Sequence, residues 1–281
     1  MKYIAFIFFI LFSFEALAGT VKVFVSLLPQ QYFVQRIGGD RVSVNVMVKP
    51  GQSPETFEPS PKLMSLYSRA DVYFTIGMPF ERVWINRVTS LNQTISIKST
   101  QPDEKKLLLA EHEHHGENDA NWDPHTWLSP VIAAEQAKII MLELSRISPK
   151  DKKLFLNNYS KLKDELNVLD DFISRRFKAS GKKNFITFHP AFSYFAEQYE
   201  LNQIAIEVGG KEPSAKQITR IVERIKNKNV SYILIERQFN QLIPKTIADS
   251  VNAELLILDP LAFDYINNMQ DMAEKINKAL F

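Results

Sequence analysis

Short apolar runs that favour β-strands alternate with helical patterns along the chain, and this alternation constrains the fold more than any other feature. The runs are at 21–26, 42–48, 71–76 and 94–97 in the first half and at 184–188, 203–208, 230–236 and 254–258 in the second. Near-continuous apolar strands separated by helices are typical of parallel sheets covered on both faces. The sequence therefore predicts an α/β fold with two parallel-sheet lobes.

A long amphipathic segment separates the two groups of strands. From Pro149 to about Lys178, apolar residues recur at spacings of three and four, with no interior glycine or proline. A helix of this length would extend roughly 45 Å. It is either a rigid connector or a long packing helix within one domain, and its position between the groups favours the connector. We expect an N-terminal lobe at 19–148, a linker helix at 149–180 and a C-terminal lobe at 181–281.

Serine and proline mark the expected helix starts. Three Ser-Pro pairs, Ser60-Pro61, Ser129-Pro130 and Ser148-Pro149, each place an N-cap serine before a proline at the first helical position. Ser214 and Gln217 have the spacing of a capping box.

Residues 1–18 have the three-part pattern of a secretory signal peptide. Lys2 precedes an apolar run, and Ala16-Leu17-Ala18 forms an A-x-A cleavage site. The run is too short to span a bilayer, and no other stretch is long and apolar enough. The chain has no cysteine, which excludes disulfides and a lipid on an N-terminal cysteine. We expect cleavage after Ala18 and a periplasmic protein without stable membrane insertion.

The charge of the chain argues against nucleic acid as a partner. Its formal net charge is only +2, whereas nucleic-acid binding normally needs a basic face. Nothing in the sequence indicates oligomerisation, so we expect a monomer.

Polar residues follow the predicted strands where a ligand would bind, because open parallel sheets bind ligands beyond the carboxyl ends of their strands. These residues are Glu55 and Glu58 after the second run, His189, Glu236 and Asp259. A carboxylate after a strand is often a helix cap or a solvated loop residue. A histidine and several carboxylates that converge on one crevice are, however, the donors that a divalent metal needs.

Four of the five histidines lie between residues 111 and 125. His125 stands in WDPHTWLSP, between proline and tryptophan and just before a predicted helix start, which favours a position held in the fold. His112, His114 and His115 lie in an acidic loop at 111–121 without an apolar anchor. That loop is either an auxiliary site for loose metal capture or a solvated loop without a function.

Several motifs resemble those of the metal-specific substrate-binding proteins of ABC importers, the ZnuA/TroA-like family. DPHTWLSP (123–130) is similar to the family's DPHxWLDP motif, and PETFEPSP (54–61) is similar to its PHxYEP motif. Further motifs follow in the family's order: FHPAFSYF (188–195), KEPSAKQI (211–218), IERQFN (235–240) and ILDPLA (257–262), with RADVYFTIGMPFERVW (69–84) as its third-strand region. The resemblance covers essentially the whole chain after residue 18.

The resemblance implies two α/β lobes joined by one long helix, with a single metal ion in the cleft between them. By position, the metal ligands would be His125, His189, Asp259 and the residue in place of the PHxYEP histidine, which is Glu55. Glu55 is a direct ligand, acts through water, or is an exposed loop residue, and we favour the first. Glu58 and Glu236 are expected in supporting roles. The acidic histidine-rich loop is typical of zinc-specific members.

The leading functional hypothesis is a periplasmic high-affinity receptor that delivers Zn2+ to an ABC importer permease driven by its ATPase. A manganese or iron receptor of the same class is the alternative, because two imidazoles with two carboxylates match the ligand count of the manganese-type members. A zinc hydrolase is a remote alternative, since no HExxH-like motif is present and no enzyme activity is expected. An adhesin is a further class that the unanchored chain does not favour.

Overall fold

The computed structural model describes residues 19–102, 122–207 and 213–281 and contains two four-stranded parallel sheets. The first sheet has the order β2-β1-β3-β4 and the second the order β6-β5-β7-β8. The strands are β1 (Val21–Val25), β2 (Val42–Val46), β3 (Val72–Thr75), β4 (Ser96–Ser99), β5 (Asn184–Thr187), β6 (Asn202–Ala205), β7 (Tyr232–Glu236) and β8 (Glu254–Leu258). The predicted α/β fold with two parallel-sheet lobes is confirmed.

Helices cover the sheets and lie between the strands. In chain order they are α1 (Leu28–Gly38), α2 (Pro61–Tyr67), α3 (Pro79–Leu91), α4 (Pro130–Ile147), α5 (Lys152–Lys178), α6 (Ser193–Gln198), α7 (Ala215–Ile225), α8 (Leu242–Ser250) and α9 (Tyr265–Ala279). No helix among the described residues has the length and apolar character needed to cross a membrane. The predicted signal peptide and the 111–121 loop lie outside the described residues.

The four predicted helix starts are all found in the structure. Ser60 and Ser129 accept hydrogen bonds from the third residue of α2 and α4, at 3.3 Å and 3.2 Å. Ser214 and Gln217 form the predicted capping box of α7. Helical backbone begins at Pro149 after Ser148, as predicted, but its first turn, Pro149–Asp151, is 3₁₀ and runs directly into α5 at Lys152, and the Ser148 hydroxyl donates to the Asp151 carboxylate.

The long helix α5 joins the two sheets and shares its core with both. Its apolar stripe is buried at Phe155, Leu162, Leu166, Leu169, Ile173 and Phe177. The helix packs against α1 and α4 of the first half and against α9 of the second. At ~1.5 Å per residue its 27 residues extend roughly 40 Å. One hydrophobic core therefore runs from the first sheet through α5 to the inner face of the second sheet.

The sheet topology determines where a ligand can bind. In each sheet the central pair of parallel strands, β1 with β3 and β5 with β7, marks the point where the chain stops adding strands on one side and begins to add them on the other. The crevice of a parallel sheet opens at the carboxyl ends of such a pair. In the second sheet this edge carries His189, two residues after β5, and Glu236, the last residue of β7.

Candidate metal centre

Glu55, His125 and His189 come together in one cluster at the carboxyl edge of the second sheet. One donor atom from each of these residues lies within 4.8 Å of the other two. The two imidazole Nε2 atoms are 3.4 Å apart, and Glu55 Oε1 lies 3.5 Å from that of His189 and 3.9 Å from that of His125. These three residues were predicted from the sequence to share one site, and the structure places them together.

Each imidazole is oriented by a buried carboxylate on its other ring nitrogen. Asp123 Oδ1 lies 2.7 Å from Nδ1 of His125 and also accepts the backbone N–H of His125 at 2.9 Å. Glu207 Oε2 lies 2.6 Å from Nδ1 of His189. A carboxylate that accepts the Nδ1 proton leaves Nε2 free to bind a metal and fixes the plane of the ring. Both Nε2 atoms consequently face the same small space.

Aromatic rings complete the walls around the two imidazoles. Phe239 stacks on His189 at a centroid distance of 5.0 Å, and Trp127 lies against His125 at 5.3 Å. The cavity that they line measures about 20 Å³. A space of that size holds about one water molecule or one ion.

The strand registers place one glutamate carboxylate on each side of His189. Thr187 pairs with Ala205 of β6 and with Leu234 of β7, so the residues two positions further on are Glu207, His189 and Glu236. Both glutamates are almost fully buried. Burial raises the pKa of Glu236 to about 7, although the charge of His189 opposes the rise.

The charges around the cluster favour a bound cation. Burial lowers the pKa of His189, but the Glu207 hydrogen bond and the nearby charges of Glu236 and Glu55 outweigh burial, so its pKa is raised. No lysine or arginine among the described residues lines the cavity. A divalent cation would offset this excess of carboxylates.

The structure does not bring Asp259, the fourth predicted ligand, into the cluster. Glu236 pairs with Leu258 of β8, and Asp259 is one residue beyond that pair. Its Oδ1 accepts Gln238 Nε2 and the backbone N–H of Leu261, each at 3.2 Å, and its Oδ2 lies 3.7 Å from Arg237 Nε. Gln238 and Leu261 also line the metal cavity, so Asp259 lies just behind its wall.

The remaining predicted residues have no direct part in the cluster. Glu58 is exposed. Glu236 lines the cavity but is not among its three clustered donors, as expected of a supporting residue. His112, His114 and His115 lie outside the described residues.

Sequence reasoning missed Asp123 and Glu207, the two carboxylates that orient the imidazoles. Asp123 carries a local signal, because an acidic residue two positions before a histidine can reach its Nδ1 through a tight turn. Glu207 also carries a signal, since it is the only charged residue in the apolar run 203–208. The partner of Glu207, 18 positions away, follows only from strand pairing.

The fold and the cluster together define a two-lobed α/β metal-binding protein. The chain belongs to the ZnuA family, described as "Zinc-uptake complex component A periplasmic", whose model matches residues 23–279. The family is one of solute-binding proteins.

Three relatives illustrate this membership. The zinc-binding lipoprotein AdcA of Streptococcus pneumoniae serotype 4 is 27% identical over 86% of the chain and 50% of its own length. The chain thus spans about half the length of the first curated relatives that it matches. A putative metal-binding protein of Chlamydia muridarum is 30% identical over 88% of the chain and 87% of its own length. A crystal structure of ZnuA superposes with a TM-score of 0.86 and 33% identity, over 92% of this chain and 99% of that one.

Proposed function

We propose that the chain is the zinc-binding receptor of an ABC-type importer. The observation that carries the proposal is the pair of facing Nε2 atoms 3.4 Å apart, each on an imidazole held by a buried carboxylate. Two nitrogens bound at ~2.05 Å to a tetrahedral zinc ion stand ~3.3 Å apart. The pair therefore fits one zinc ion with little rearrangement.

The proposed ligands are Glu55, His125, His189 and Asp259. The proximity of the first three supports their part in the set. Asp259 would complete it by giving up the Gln238 amide, because zinc in protein sites usually takes four ligands. Without Asp259, water would fill the fourth position.

Zinc is favoured over manganese by the donor types. Two of the three clustered donors are imidazoles, which suit zinc, whereas manganese prefers carboxylate, carbonyl and water oxygens. Affinity for nitrogen and oxygen donors also rises from manganese through iron towards zinc. The name of the zinc-binding lipoprotein AdcA and the description of the family point the same way.

The proposed cellular role is capture and delivery. The chain would lose residues 1–18 on export, bind Zn2+ in the periplasm and pass it to the importer's permease, which its ATPase drives. The segments 19–148, 149–180 and 181–281 would act as lobe, linker and lobe. A cavity of about 20 Å³, sized for a single ion, supports a binding role without catalysis.

Metal competition tests the proposal. Residues 19–281 would be dialysed in metal-free form against buffered Zn2+ and Mn2+ together, and both metals counted per chain. We expect one zinc per chain that manganese does not displace. The variant with both His125 and His189 changed to alanine is the control and should retain none. Retention of manganese when zinc is scarce, or of iron when Fe2+ replaces Mn2+ in the same dialysis, would refute the assignment. Hydrolysis of ester, peptide or phosphate substrates would refute the absence of catalysis.

A further inference from the structure

The second half of the chain carries His189 and is hydrogen-bonded to the segment of His125, although α4 also holds that segment through Gln136 Nε2, which donates to Thr126 Oγ1 at 2.8 Å. His125 precedes α4 in sequence, but its segment is bonded across to the second half. Three hydrogen bonds make this connection: Trp127 Nε1 to the carbonyl of Pro260 at 2.8 Å, the Tyr265 hydroxyl to the carbonyl of Trp127 at 2.6 Å, and the Tyr194 hydroxyl to the carbonyl of Asp123 at 3.2 Å. The imidazole pair is therefore one preformed unit.

Glu55 lies on a loop, residues 53–59, that is held by contacts other than those that hold the two imidazoles. Ser53 donates a hydrogen bond to its carboxylate from within the same loop. In the part of the chain that the structure describes, residues 53–59 make hydrogen bonds only among themselves. The buried side chains of this loop are Pro54, Phe57 and Pro59, and Phe57 is the one with an aromatic contact, packing edge-on against Phe80 with ring centroids 5.0 Å apart.

Phe80 is in turn fixed by the carboxylate of the next residue. Glu81 is almost fully buried and accepts the backbone N–H groups of Ile76 at 2.9 Å and Gly77 at 2.6 Å, as well as the hydroxyl of Ser26. Gly77 has φ +89°, and a Cβ there would lie 2.5 Å from the Gln101 side chain. The turn between β3 and α3 thus has one conformation, and it presents Phe80 to Phe57.

We propose that Phe57 is the positioning residue for Glu55 and that the zinc site is assembled from two separately supported parts. One part is the imidazole pair, bonded to the second half of the chain. The other is the Glu55 carboxylate, which the Phe57–Phe80 contact and the Glu81 turn hold in place. This inference rests on the proposed function, because it assumes that the cluster binds zinc.

The proposal makes the loss of Phe57 equivalent to the loss of the Glu55 carboxylate. Without the aromatic contact, the loop no longer holds Glu55 Oε1 at 3.5 Å from His189, while both imidazoles stay oriented by their own carboxylates. Zinc affinity should then fall about 10- to 100-fold, as when a metal ligand loses its supporting partner, mainly through faster dissociation. The imidazole ligation should remain.

The test compares Phe57→Ala, Phe57→Leu and Glu55→Gln with the unmodified chain, loaded with Co2+ or with Zn2+. Cobalt d–d absorption reports the donor set, X-ray absorption of the zinc form counts bound imidazoles, and chelator competition gives the dissociation rate. Phe57→Ala should reproduce the Glu55→Gln spectrum and rate with two imidazoles retained, and Phe57→Leu should be intermediate. Phe172→Ala, a half-buried phenylalanine of α5, is the matched control and should keep the unmodified spectrum and rate.

Two outcomes separate the inference from the function on which it rests. If Glu55→Gln changes the spectrum and rate but Phe57→Ala and Phe57→Leu do not, the positioning role is refuted and the zinc site stands. If the unmodified chain does not hold one zinc ion, or Glu55→Gln changes nothing, the proposed site itself fails. If Phe57→Ala does not fold, Phe57→Leu and Phe80→Leu replace it in the test, because each removes one of the two rings of the Phe57–Phe80 contact.

Discussion

Glu207 is the carboxylate whose removal tests the metal centre most directly, and we predict that Glu207→Gln weakens zinc binding. The side chain is 3% exposed and lies 2.6 Å from Nδ1 of His189, without contacting the metal position itself. Glutamine keeps the volume and an acceptor oxygen but removes the charge. Loss of such a partner typically lowers metal affinity 10- to 100-fold, or about 1.4–2.8 kcal/mol.

The same variant should also shift the pH dependence of binding. Zinc needs the neutral imidazole, so affinity falls as pH decreases through the pKa of His189 in the metal-free protein. Burial lowers that pKa, and the Glu207 hydrogen bond is the largest of the effects that raise it above its usual value. Removing the charge therefore lowers the pKa of His189 and moves the midpoint of the affinity loss to lower pH.

Competition with a fluorescent zinc chelator between pH 5.5 and 8.5 measures both effects. Glu197→Gln is the matched control, because Glu197 is exposed on α6, and it should leave both the affinity and the midpoint unchanged. Unchanged affinity of Glu207→Gln at pH 8, or a midpoint that moves to higher pH, would show that Glu207 does not act on zinc through His189.

Three further predictions concern a ligand, a buried acid and the core. Asp259→Asn should weaken zinc binding by tenfold or more if Asp259 completes the ligand set, and chelator competition that finds unchanged affinity would leave the fourth position to water. Burial raises the pKa of Glu81 to about 7, so the stability linked to its protonated form is complete below pH ~4.5 and is lost as pH rises through ~7. Urea unfolding measures the free energy of unfolding of Glu81→Gln and of the unmodified chain at pH 5 and pH 8. The value for the variant minus that for the unmodified chain should be larger at pH 8 than at pH 5 by about 3 kcal/mol. The same value at both pH values would contradict this. Leu166→Ala, in the middle of α5 and 1% exposed, should lower the free energy of unfolding by about 2–5 kcal/mol without changing zinc stoichiometry; a loss below about 1 kcal/mol would contradict the shared core.

The elements of this fold could be predicted because their signals are local. Each of the eight predicted strands overlaps an observed strand, since a buried parallel strand needs a continuous apolar run. The stripe of α5 is equally local. The long helical segment begins at Pro149 as predicted, but its first turn is 3₁₀, because a serine before a proline does not distinguish an α-helix from a 3₁₀ turn.

The metal centre was predictable only where a strand end or a motif marks the residue. His189 follows β5 and His125 stands in the DPH motif, so both were found. Glu207 was missed because its role depends on the pairing of β5 with β6, which is not encoded in either strand alone. The position of Asp259 depends on the register of β7 with β8, where a difference of one residue decides which side of the sheet edge a side chain reaches.

The core that α5 shares with both sheets has a kinetic consequence for the proposed function. A frame with one continuous core has little to rearrange when the ion arrives, so association can approach the rate of diffusion. For a dissociation constant of about 1 nM and an association rate constant of about 10⁸ M⁻¹ s⁻¹, the ion would leave unaided only about once every 10 s. The residence time of zinc would thus be set by the few bonds in the centre itself, and a transporter that cycles faster must break those bonds actively.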